Sequence, residues 1–178
     1  MQAADTRLDQ LAHSEASLPA TKQVNELTEK LAELNTDVVN AATELSDLER
    51  EVRKAEDEVD QVRKRTTKDQ QLLDSGSITS GKQLEEIQHE IASLLRRQGD
   101  LEDAQLEVME RAEESQNVVD RLKEAVAKAE AERAEVQAVQ EAALAEIVTE
   151  RTAVLARRED LVSGVPAVLL ALYTKLRE

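Results

Sequence analysis

Apolar side chains recur along this chain in steps of three and four residues, beginning at Val24. They fall at Val24, Leu27, Leu31, Leu34, Val38, Ala41, Leu45, Leu48, Val52, Ala55, Val59 and Val62 without a miss. This alternation fills the a and d positions of successive heptads. Its mean period of about 3.5 residues predicts a left-handed coiled coil rather than an isolated amphipathic helix. At about 1.5 Å per residue this run alone forms a helix of about 58 Å.

The frame weakens at Thr66 and Asp69, and Leu72 and Leu73 then precede SGSITSG at 75–81. A cluster of Gly and Ser between two periodic stretches reads as a turn. Gly76 suits the C-terminal cap of the first helix, because glycine tolerates positive φ. Ser80 followed by Gln83 fits a capping box, which places the next helix start near Gly81 or Lys82. Ile78 is the one large apolar residue of the turn, and is expected to plug the end of the seam against Leu73, Leu84 and Ile87.

A second run begins at Leu84 and continues through Ile87, Ile91, Leu94, Leu101, Val108, Ala112, Val119, Leu122, Val126, Ala129, Val136, Ala143, Ile147, Val154 and Leu161. Gln98, Gln105, Ser115, Arg133, Gln140, Glu150 and Arg157 take the remaining a and d positions. Near its end the apolar stripe drifts toward Leu144, Val148, Leu155 and Val162, which suggests a third contact surface or a change in packing there. Two long helices joined by a short turn should fold back on each other. Two registers one heptad apart are compatible with a reversal near Ile78. The preferred one sets Ala41 opposite Ala112 and Val38 opposite Ser115, small beside small. The arms are unequal, so the stretch 133–161 needs a partner before Val24. Leu8, Leu11 and Leu18 are available, with Pro19 marking a break. A second copy of the chain could also cover this region, so a homodimer is possible.

The sequence closes with GVPAVLLALYTKLRE. Gly164 ends the long helix and Pro166 suits the first turn of a new one. Leu169, Leu172, Tyr173 and Leu176 share one face of it, an apolar docking face in want of a partner. The expected fold is therefore all-α: an elongated antiparallel two-helix coiled-coil hairpin over 1–164, with a short amphipathic helix over 165–178. Its first arm covers about 3–74, the turn 75–81 and the second arm about 82–163.

Composition sharpens this picture. The 178 residues include one aromatic, Tyr173, and no Phe, Trp or Cys, while the hydrophobic share of 40% is almost all aliphatic. A sandwich or Rossmann domain of this size would bury several aromatic anchors. The absence of cysteine excludes disulfides and thiolate metal sites. No apolar run approaches the roughly 20 residues that span a bilayer, and the N-terminus has no basic start followed by an apolar stretch. A cytoplasmic protein without membrane contact is expected. A net charge of −15 opposes wholesale wrapping of nucleic acid.

The residues offer little catalytic chemistry. General acid–base or nucleophilic catalysis needs polar groups converging in a pocket that excludes water, and a two-helix pair supplies none. His13 and His89 are far apart in any hairpin, and no P-loop, GxGxxG, HExxH or nucleophile elbow is present. His89 falls on the outer face of its heptad. The charge distribution is more informative: between Arg63 and Arg97 lie Arg63, Lys64, Arg65, Lys68, Lys82, Arg96 and Arg97 against five acidic residues. With Ile78 and His89 these cations form a candidate interaction tip for phosphate or an acidic protein. The alternative is ordinary ion pairing to Asp57, Glu58, Glu86 and Glu90. No aromatic side chain interleaves the cations, so base stacking is not on offer.

The stretch LLDSGSITSGKQLEEIQHEIASLLRRQGDLEDAQLEVMER, at 72–111, resembles a bacterial family of coiled-coil hairpins carrying a C-terminal zinc ribbon with two C-x-x-C pairs. Its tip pattern is matched by Ser75, Gly76, Ile78, Thr79, Lys82 and Leu84. The LQHEI, RRQ and LEVMER segments are matched by Gln88, His89, Glu90, Ile91, Arg96, Arg97, Gln98 and by the run from Leu106 to Arg111. LLALYTKLRE is similar to the segment that leads into the ribbon in actinobacterial members. The resemblance implies a predicted nucleic-acid-binding protein, with relatives that act as adaptors for protein partners. The ribbon's four cysteines have no counterpart here, so no cofactor is expected in this chain and zinc is implied only for a fuller family member. The expected role is a non-enzymatic scaffold or adaptor for protein or nucleic acid. The alternative is nucleic-acid binding by the basic tip together with the ribbon.

Overall fold

Two prolines and one glycine punctuate an otherwise helical chain. A computed structural model describes residues 1–177, and every regular element in them is an α-helix. Helix α1 spans Gln2–Ala16, α2 Pro19–Asp74, α3 Gly81–Ser163 and α4 Ala167–Arg177. Pro19 occupies the first turn of α2, where its missing N–H costs no intrahelical bond. Pro166 stands just before α4, and its carbonyl accepts the amides of Leu169 and Leu170. Residue 178, the last of the expected terminal helix, lies outside the described residues.

Helix α2 ends through a left-handed residue. Gly76 has φ 64, the one positive φ among the described residues, and its amide donates to the Leu73 carbonyl. A Cβ at this φ would be strained, which is why glycine serves. At the start of α3 the Ser80 carbonyl accepts the Leu84 amide at 3.1 Å. The reciprocal side-chain bonds of a capping box between Ser80 and Gln83 are not formed.

The chain divides into two compact units. One is continuous, Leu34–Ala125, and consists of the second part of α2, the turn and the first part of α3. Here α2 and α3 run antiparallel as a coiled-coil hairpin, and every apolar a or d residue from Leu34 to Val62 is buried or half-buried. Three ion pairs cross between its helices: Arg63 to Glu102 at 2.5 Å, Arg65 to Glu90 at 2.8 Å and Arg111 to Glu51 at 3.7 Å. Arg63 and Glu102 each follow a d position, while Glu51 and Arg111 each precede an a position. In these two pairs the flanking positions meet across an antiparallel seam in the same register, while Arg65 and Glu90, nearer the turn, reach each other from one heptad off it.

That register is the one in which Ala41 faces Val119, not Ala112. The small-beside-small alternative would slide Arg63 from Glu102 to Leu95 and Glu51 from Arg111 to Ala104. It would also stack two layers of small side chains and leave a void between helices of fixed separation. In the observed register Ala41 meets Val119, Leu45 meets Ser115 and Leu48 meets Ala112. Each layer combines a large side chain with a small one, and Ala41, Leu48, Ser115 and Val119 are all buried. Leu84 is exposed, whereas Ile78, Leu73 and Ile87 are half-buried at the end of the seam.

The second unit joins Met1–Glu33 to Val126–Glu178. Leu31 and Ala129 are buried, again large against small, and Gln140 donates to the Thr21 hydroxyl at 2.9 Å. Helix α1 lies against the last part of α3, with Leu11 buried and Leu8 half-buried. The expected apolar drift of α3 is only partly realised. Leu144 and Val162 are half-buried, but Val148 and Leu155 are exposed. Arg151 and Arg158 turn inward in their place, because α1 supplies carboxylates there: Glu15 pairs with Arg151 and Asp5 with Arg158.

An engineered cysteine pair checks the register, since the chain has no native cysteine. Oxidation should close a disulfide in the Ala41→Cys, Val119→Cys variant and none in Ala41→Cys, Ala112→Cys, read as a mobility shift on non-reducing electrophoresis.

Candidate functional site

The cations of 63–97 line both helices beside the turn, within the Leu34–Ala125 unit. Most are already engaged. Arg63 pairs with Glu102, Lys64 with Asp60, Arg65 with both Glu90 and Asp69, and Lys82 with Glu86. Glu86 and Glu90 are thus partners, while Asp60, Asp69 and Glu102 stand where Asp57 and Glu58 were expected. The hydrogen bond to Asp60 raises the Lys64 pKa, and its charge adds to the effect. Hydrogen bonds from Gln98 and then Arg63 hold Glu102 below the usual carboxylate range. These pairs are exposed, so each contributes little.

Lys68, Arg96 and Arg97 differ. All three are exposed, and among the described residues none has a carboxylate within ion-pairing distance. Arg96 donates Nε to the Ala92 carbonyl of its own helix at 3.3 Å, which leaves the other guanidinium donors in solvent. Arg97 and Arg65 border a surface depression of about 400 Å³ whose floor is Val62, Leu94 and Leu101. His89 is exposed, as its heptad position predicts.

In the other unit, α4 turns only part of its predicted face outward. Leu169, Leu172 and Leu176 are exposed, with Leu169 at 57%. Tyr173 is half-buried, and its hydroxyl donates to Asp5 Oδ2 at 2.6 Å. Asp5 is 2% exposed and accepts Arg158 Nε on its other oxygen at 2.6 Å. One carboxylate thereby ties together α1, α3 and α4. It also sits in the first turn of α1, where the helix dipole favours negative charge. The sequence pattern did not single out Asp5. The available signal was indirect: a lone tyrosine on an apolar helix needs a partner for its hydroxyl. On the same unit, the hydrogen bond from Arg7 (2.6 and 2.8 Å) holds Glu150 below the usual carboxylate range, and raises Arg7 in turn.

Among the described residues no three His, Cys, Asp or Glu side chains stand close enough to hold a metal ion. With no cysteine in the chain, the zinc implied by the resemblance has no donor set in these residues. No described helix is long and apolar enough to cross a membrane.

Comparison with known proteins follows the fold. Residues 1–178 match the family described as the CT398-like coiled coil hairpin domain. The chain is similar to the uncharacterized protein Rv2229c of Mycobacterium tuberculosis, 36% identical over 173 residues, covering 97% of this chain and 70% of that protein. It is also similar to the uncharacterized protein ML1638 of Mycobacterium leprae, 34% identical over 113 residues, covering 64% of this chain and 48% of that one. A solved structure from Mycobacterium smegmatis superposes with a TM-score of 0.86 at 35% identity, covering 98% of this chain and 72% of the other. CT398 from Chlamydia trachomatis superposes at 0.69 with 14% identity, over 98% and 72% of the two chains, and shares the fold alone.

Two outcomes check the junctions. Asp5→Ala strands the Arg158 guanidinium and the Tyr173 hydroxyl, and should lower stability by about 1–3 kcal/mol, discounted because Arg158 is partly solvated. Leu169→Ala on the exposed face should stay within about 0.5 kcal/mol. Thermal melts followed by circular dichroism measure both, and the emission of Tyr173, the one aromatic, reports the junction directly. The second outcome concerns pH. The folded-state pKa of Glu150 is lowered, so its contribution is complete above the ordinary carboxylate pKa of about 4.3 and is lost as pH falls through the folded value. The melting-temperature difference between the native chain and Glu150→Gln should hold constant from neutral pH down to that range, then shrink toward zero below it.

Proposed function

This chain belongs to the CT398-like coiled coil hairpin domain family, and from that premise we propose that it is a non-enzymatic scaffold that holds a protein partner. The observation that carries this reading is where the unspent side-chain chemistry lies. Across the seams, polar groups are committed to neighbouring helices: Arg63 to Glu102, Arg111 to Glu51, Arg7 to Glu150, Arg158 and Tyr173 to Asp5. Among the described charged groups that are exposed and form no ion pair, Lys68, Arg96 and Arg97 add to the cationic stretch beside the turn. A surface of this kind binds; it does not enclose a reacting atom. With no membrane-spanning helix among the described residues, the cytoplasm is the natural setting for this role.

Nucleic-acid binding is the second reading, favoured by the same three unpaired cations. Against it stand the net charge of −15 and the lack of any aromatic near them. Zinc belongs to neither reading within these residues.

Fluorescence anisotropy with a labelled single-stranded RNA and a labelled duplex DNA separates the two. The scaffold reading expects no binding at physiological ionic strength, and no steep salt dependence below it. Affinity that falls steeply with salt and disappears in an Arg96→Glu, Arg97→Glu variant would replace the scaffold with a nucleic-acid binder.

A further inference from the structure

We infer that the depression bordered by Arg65 and Arg97 is the docking site for an acidic, leucine-bearing helical segment of a partner protein. The inference rests on the scaffold reading and gives that scaffold a partner class. Three observations carry it. The floor is apolar: Val62 and Leu94 are buried core residues of the seam, and Leu101 is half-buried beside them. An aliphatic side chain from a partner would extend the seam outward there. The rim is cationic on both helices. Arg65 is oriented by Glu90 at 2.8 Å and Asp69 at 4.0 Å, yet five donors on a guanidinium leave it bonds to give. Among the described residues Arg97 has no carboxylate partner, and Lys68 stands one turn from Arg65 along α2. Glu58, which borders the other side, is answered by Lys54 at 3.9 Å.

The third observation is where the positive charge stops. Residues 63–97 carry seven cations against five carboxylates, in a chain whose net charge is −15. A short acidic segment fits within that patch and meets two guanidiniums suited to bidentate carboxylate pairing. A long polyanion would run beyond it onto strongly acidic surface and be repelled. Charge complementarity over an apolar floor therefore favours an acidic peptide over a nucleic acid strand, which would also lack stacking partners.

The probe is a fluorescein-labelled peptide of about 20 residues, long enough to form helix, with leucines at i, i+3 and i+4 spacing among glutamates. Anisotropy against the full chain at low salt should show saturable binding, weakened about tenfold or more by Arg97→Glu and less than about twofold by Arg121→Glu, an exposed arginine remote in sequence from the patch. Circular dichroism melts confirm that both variants fold. No saturable binding, or binding that Arg97→Glu leaves unchanged, overturns this site while leaving the scaffold reading standing. Tighter binding of a uridine oligonucleotide than of the peptide, lost in the same variant, overturns both. Self-association of the chain in sedimentation that Arg97→Glu abolishes would make a second copy the occupant and overturn the acidic partner.

Discussion

Ala41 lies against Val119, and Leu48 against Ala112, because two helices at constant separation must fill every layer between them with a similar volume. The flanking charges then agree with that choice: Arg63 reaches Glu102 and Arg111 reaches Glu51 in the same register. Neither effect is large by itself. The exposed pairs contribute little each, and the core supplies most of the stability. Together they leave one alignment in which packing and charge are both satisfied, and that alignment decides which side chains stand beside the turn. Arg65 and Arg97 border one depression for this reason.

Much of the architecture was legible in the sequence because coiled coils are written in a regular code. The a and d series located both long helices, Gly76 and Pro19 marked their ends, and the heptad position of His89 placed it in solvent. Register was harder. Periodicity constrains it only to multiples of seven, and grouping Ala41 with Ala112 looked attractive because small residues can let helices approach. Constant separation wins over local narrowing, since neighbouring layers hold Leu45 and Leu48. The end of α3 was misread for a related reason. Val148 and Leu155 invite an apolar contact, but α1 brings Asp5 and Glu15, so Arg158 and Arg151 face inward instead. A pattern of hydrophobicity cannot anticipate a buried charge whose partners lie more than a hundred residues away.

The candidate site was legible only as composition. The sequence showed an excess of cations at 63–97; pairing them off required geometry. Arg63, Lys64, Arg65 and Lys82 turned out to be engaged, which narrows the patch to Lys68, Arg96 and Arg97 with Arg65 as a fixed neighbour. The apolar face of α4 narrowed as well. Tyr173 is drawn inward by Asp5, so the exposed leucines flank an anchor rather than form an unattached helix.

The two units differ in how the chain must travel to build them. Leu34–Ala125 is uninterrupted and reverses once, so its contacts can close from the turn outward with short loops at each step. The other unit joins segments far apart in the sequence: the Asp5–Arg158 bond spans 153 residues and the Asp5–Tyr173 bond 168. During synthesis the inner hairpin can zip as soon as the first part of α3 has been made, whereas Asp5 waits until Arg158 and Tyr173 have followed.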